Sequence, residues 1–72
     1  MTKEQAKIIM AYARNNMDAK AAGDELYMCD ATVHYRLKKI RDQLGWNPKN
    51  FFDLCYLVGI AAQRLGGRDD SV

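Results

Sequence analysis

Residues 18–44, DAKAAGDELYMCDATVHYRLKKIRDQL, decide the fold. Asp18 can accept from the first free amides of a helix, and Ala19 to Leu26 holds strong helix formers around Gly23. Met17, just before that cap, supplies the apolar side of a staple. Tyr27, Met28 and Cys29 contain no Gly or Pro, yet a new amphipathic pattern begins directly after them, so they form a tight turn with Met28 plugging the core. Val33, Leu37, Ile40 and Leu44 then recur at steps of four, three and four, which keeps one stripe facing inward until Gly45 ends the helix. At about 100° per residue, Ala31, His34, Tyr35 and Lys38 fall on the opposite face, with Thr32, Arg36, Lys39 and Arg41 along its flanks.

Working outward, Thr2 and Gln5 have the spacing of a capping box and start a first helix over roughly 3–14. Ala6, Ile9, Met10 and Ala13 share one of its faces, and Asn15-Asn16 stops it because Asn tolerates the left-handed conformation. Toward the C-terminus, Asn47-Pro48 and Asn50 are two possible starts for a last helix that runs to about Leu65. Phe51, Leu54, Cys55, Val58, Ala62 and Leu65 make one face of that helix, and Phe52, Tyr56 and Ile60 a second, opposed one. Trp46 and Phe51 read as core aromatics. The expected architecture is all-α: a small four-helix domain over 1–65 with a central motif at 18–44, followed by a frayed tail over 66–72.

At 72 residues the chain holds one domain at most, and 49% hydrophobic with 28% charged residues is a globular composition. Cys29 and Cys55 are too few for a disulfide framework, and neither belongs to a closely spaced Cys/His set, so no metal or cofactor is expected and a reduced, cytoplasmic setting fits. No apolar run approaches the length that spans a bilayer. The net charge of +2 is unevenly spread. Residues 1–33 sum to −1 (four basic, five acidic), as do residues 42–72 (three basic, four acidic), while His34–Arg41 holds four basic groups and no acid. All the excess positive charge therefore lies in the helix after the turn, the electrostatic footprint of a nucleic-acid binder.

A short helix containing a small residue, a three-residue turn with a buried apolar group, and a second helix with a basic outer face constitute helix-turn-helix logic. Gly23 stands where the two helices cross too closely for a side chain larger than methyl. Leu26, Met28, Val33 and Leu37 fix the crossing and hold the second helix out toward a major groove. Thr32-x-x-Tyr-Arg-Leu-x-x-Ile40 and Gly45-x-Asn-Pro-x-Asn-Phe-x-Asp-Leu54 resemble the C-terminal helix-turn-helix of PucR-type regulators, the purine-catabolism and sugar-diacid activator group, over roughly residues 8–60. The resemblance implies a transcription-factor DNA-binding domain whose recognition helix carries Thr32, Tyr35 and Arg36, present either as a stand-alone small protein or as a fragment.

The expected function is sequence-specific binding of double-stranded DNA by a small transcriptional regulator. Thr32, His34, Tyr35 and Lys38 are expected to face base edges or groove floor and Arg36, Lys39 and Arg41 to neutralise phosphates, with Asp30 and Ala31 completing the DNA-binding set. Asp30 favours the helix dipole and repels a nearby phosphate, or accepts from a cytosine amino group. Phe52, Tyr56 and Ile60 are expected to pair two copies as a homodimer, because one helix cannot bury both of its apolar faces in so small a domain. A rival reading keeps the scaffold but gives it a protein partner. Catalysis is not expected: His34 has no second His or evident acid neighbour, Cys29 reads as turn filling before redox sensing, and no phosphate loop or nucleophile–base pair is present.

Overall fold

The computed structural model describes residues 1–66 and contains four helices: α1 (Lys3–Arg14), α2 (Ala19–Leu26), α3 (Asp30–Leu44) and α4 (Phe51–Arg64). The frayed tail expected over 66–72 falls outside the described residues from 67 onward. No helix among the described residues is long and apolar enough to cross a membrane.

Local chemistry sets the helix ends. Thr2 accepts from the Gln5 amide at 3.0 Å while the Gln5 side chain accepts from the Thr2 amide at 3.0 Å, completing the capping box. Asp18 accepts from the amides of Lys20 and Ala21 at 3.0 and 3.2 Å. Of the two possible starts for α4, Asn50 is the cap, accepting from the Asp53 amide at 3.1 Å. Asn47 instead makes a turn, its side-chain oxygen accepting from the Lys49 amide at 3.0 Å and its own amide donating to Asp53 at 3.0 Å. Gly45 closes α3 in the left-handed conformation. Between α1 and α2 the reversal falls on Asn16 and Met17, both left-handed, one residue further than the Asn pair alone indicates.

α1 is central, packing against α2, α3 and, most extensively, α4, whereas α4 packs against no helix but α1. This enclosure widens the buried surface of α1. Ala6, Ile8, Ile9, Ala11 and Tyr12 are all buried, whereas Met10 and Ala13, two of the four residues expected inside, are only half-buried. α3 buries Val33, Leu37 and Ile40 as expected, with half-buried Leu44 packed against the core. Arg14 bridges to Glu25, and Asn15 donates to the same carboxylate at 2.9 Å, tying the end of α1 to the end of α2. The Arg14 contact holds the Glu25 carboxyl below its usual range.

α4 corrects the sequence reading. Its buried residues are Leu54, Leu57 and Ala61, so the inward face is rotated by roughly a fifth of a turn from the expected one. Cys55 and Phe51 accordingly face outward, and Phe51 is 60% exposed rather than core. Trp46 is also not a core residue: its ring stacks on that of Tyr56, centroids 4.2 Å apart, over the outer surface of α4. Phe52 is 79% exposed and Ile60 half-buried. Packing on α1 selects this face, while in the loop before it Pro48 is buried and Trp46 is left partly exposed.

Candidate nucleic-acid interface

The connection from α2 to α3 is built around Gly23. A Cβ at this position would lie 2.4 Å from the Met28 carbonyl oxygen and 3.3 Å from Val33 Cγ2. Even a methyl group is therefore excluded, a tighter limit than the helix crossing alone suggests. The Gly23 carbonyl accepts from the Met28 amide at 2.8 Å, and Tyr27 makes the reversal in the left-handed conformation, fully out in solvent. Half-buried Leu26 and Met28 pack on the core beneath it.

α3 begins with Cys29 as its cap residue, but the thiol makes no capping bond to the backbone and instead lies 3.1 Å from the Thr32 hydroxyl. That hydroxyl, helped by the backbone amides of Thr32 and Ala31, pulls the Cys29 thiol pKa below its ordinary value against the opposing charge of Asp30. Thr32 thus points back to the turn and is half-buried, while Asp30 and Ala31 stand exposed in the first turn.

The outer surface of α3 divides its basic and aromatic side chains between two depressions. Ala31, His34, Tyr35, Lys38 and Arg41 line a groove of about 360 Å³ together with Asn47 and Lys49 from the loop after Gly45. Tyr35, Arg36 and Lys39 line a second one of about 290 Å³ against Thr2, Glu4 and Gln5 at the start of α1. Tyr35 forms the ridge between them, 61% exposed, with the Lys39 ammonium 5.8 Å from its ring centroid. Arg36 is half-buried and paired with Glu4 at 3.5 Å, and Arg41 with Asp42 at 3.4 Å.

Sequence reasoning misses Lys49, which lines the same groove as His34, Lys38 and Arg41. Its signal lies in the loop: the left-handed Gly45 turns the chain back, and the Asn47 turn with buried Pro48 fixes the position of Lys49. No group of three or more His, Cys, Asp or Glu among the described residues is placed to hold a metal ion. Such an array, a protruding amphipathic helix with cationic flanks behind a glycine-tight turn, suits the width of a DNA major groove.

The family model of the PucR C-terminal helix-turn-helix domain matches residues 6–65. The chain belongs to that family. Its PucR-type match runs from the fourth residue of α1 to one residue past α4, including the Gly45–Leu54 connection that carries Lys49. No curated protein and no solved structure matches the chain. Membership of this helix-turn-helix family points, at the level of the family, to a DNA-binding regulator. Of the three PucR-type motif positions on α3, Tyr35 is exposed, while Thr32 and Arg36 are half-buried on its flanks.

Proposed function

We propose that residues 1–65 bind double-stranded DNA sequence-specifically and act as a small, cytoplasmic transcriptional regulator without catalysis. α3 enters the major groove with His34, Tyr35 and Lys38 toward the base edges, and Asp30, Ala31 and Thr32 at its leading end. Arg36, Lys39 and Arg41 neutralise phosphates, joined by Lys49. The observation that carries this reading is the convergence of Lys38, Arg41 and Lys49 beside the exposed His34 and Tyr35 in one groove. Phosphates on both walls of a major groove would meet cations on both sides of α3.

About four phosphate contacts per protomer predict affinity that falls roughly a hundredfold between 50 and 200 mM salt. Anisotropy of a labelled random-sequence duplex, titrated at these two salt concentrations beside a Lys38→Ala/Arg41→Ala double variant, tests this. Binding that weakens with salt and is largely lost in the variant supports the reading. Absence of binding by the parent protein at low salt overturns it.

Two copies are proposed to pair through Phe52, Tyr56 and Ile60, placing two α3 helices on half-sites one helical turn apart. The same exposed apolar surface of α4 favours a second reading, a helical module that keeps this scaffold and binds a protein partner. Complex formation with a protein that added duplex does not disturb would distinguish it.

A further inference from the structure

We infer that Glu4 is a built-in counter-ion for Arg36, so that the domain grips the DNA backbone only after Arg36 exchanges the Glu4 carboxylate for a phosphate oxygen. The inference rests on the proposed DNA binding and assigns a determinant of affinity outside α2 and α3. Glu4 Oε1 lies 3.5 Å from Arg36 Nη1, a long contact to one nitrogen of a head group with several donors in a fixed fork. Arg36 Nε is buried and has no hydrogen-bond partner, so the guanidinium is held in an under-bonded posture. A phosphate oxygen pair satisfies that fork better than one distant carboxylate oxygen does.

Glu4 is nevertheless held in register. The capping box fixes the first turn of α1, and Gln5 donates to Gln43 of α3 at 2.6 Å, so the Glu4 backbone is pinned opposite Arg36 and not left on a fraying end. Its side chain is largely exposed, which makes the pair weak, screened and readily exchanged. Once Arg36 leaves, the carboxylate remains at the mouth of the depression shared with Lys39 and repels the phosphate that replaced it. Both effects have the same sign: Glu4 lowers affinity twice, by occupying Arg36 and by standing near the backbone.

The test is a double-mutant cycle in the anisotropy titration, comparing the parent, Glu4→Gln, Arg36→Gln and the combined variant, with thermal melts to establish that each is folded. Glu4→Gln is expected to bind roughly threefold to tenfold more tightly at low salt, with a salt slope steeper by about one. In the Arg36→Gln background the gain should shrink to the residual repulsion, below about twofold. A parent that binds while Glu4→Gln stays within its error overturns the inference and leaves the proposed DNA binding standing. An equal gain with and without Arg36 overturns the counter-ion assignment, because Glu4 would then act as bulk charge. A parent that fails to bind overturns both.

Discussion

Gly23 and Gly59 show how far the meaning of a residue depends on what surrounds it. Both interrupt helices, where glycine costs about 1 kcal/mol relative to alanine. At Gly23 a Cβ would meet the backbone carbonyl of Met28, which cannot swing aside as a flexible side chain can. Gly23→Ala is therefore expected to destabilise the fold by roughly 1–3 kcal/mol through displacement of the turn. At Gly59 a Cβ would meet nothing within 4 Å, so Gly59→Ala should stabilise by roughly 0.5–1 kcal/mol. Urea denaturation of the two variants side by side checks the opposite signs, and a stable Gly23→Ala protein would refute the steric role of the turn. Residue identity alone does not separate the two glycines. Gly23 stands out in the sequence because it precedes a turn, but that its obstacle is a carbonyl of that turn is a tertiary fact.

Helix ends are the most legible elements, because caps are local. Thr2 with Gln5, Asp18 and Gly45 all act as their spacing predicts. For α4 the sequence offers two asparagines as starts, and the side that is buried is selected by packing on α1, a tertiary fact. Trp46 and Phe51 read as core and Leu57 escapes notice, since large aromatics dominate a choice of face made from the sequence alone. The candidate site divides in the same way. The outer face of α3 follows from periodicity, whereas the approach of Lys49 and the pairing of Arg36 with Glu4 need the loop and α1 in place.

The caps differ in leverage. α2 has eight residues, too few to hold itself, and Asp18 accepts from two of its orphan amides. Asp18→Ala should cost about 1–2 kcal/mol, lowering the melting temperature by roughly 4–8 °C per kcal/mol. Thr2→Ala should cost about 1 kcal/mol or less, because α1 is longer and the Gln5 side chain still accepts from the amide at position 2. Circular-dichroism melts of both variants decide the order, and an equal loss would refute the greater leverage of the α2 cap.

At the scale of the whole molecule, α4 packs against α1 and against neither α2 nor α3, and the proposed DNA-contacting residues lie mainly on α3 while the proposed pairing residues lie on α4. DNA binding and self-association are therefore expected to be separable by mutation. At tens of micromolar the parent is expected to sediment as a dimer and Phe52→Glu as a monomer, with the affinity of one protomer for a short duplex holding a single site little changed. Phe52 is the better probe than Tyr56, whose ring also supports Trp46. An unchanged sedimentation coefficient for Phe52→Glu would remove the dimer from the proposal without touching the reading face.

The same layout governs how the domain bears load. Arg64 Nε donates to the Met1 carbonyl at 3.0 Å, so the two ends of the four-helix body meet like the halves of a clasp. Tension applied between those ends would load this contact first and peel the α1–α4 seam open from that end, with α2 and α3 lying off the direct line of load.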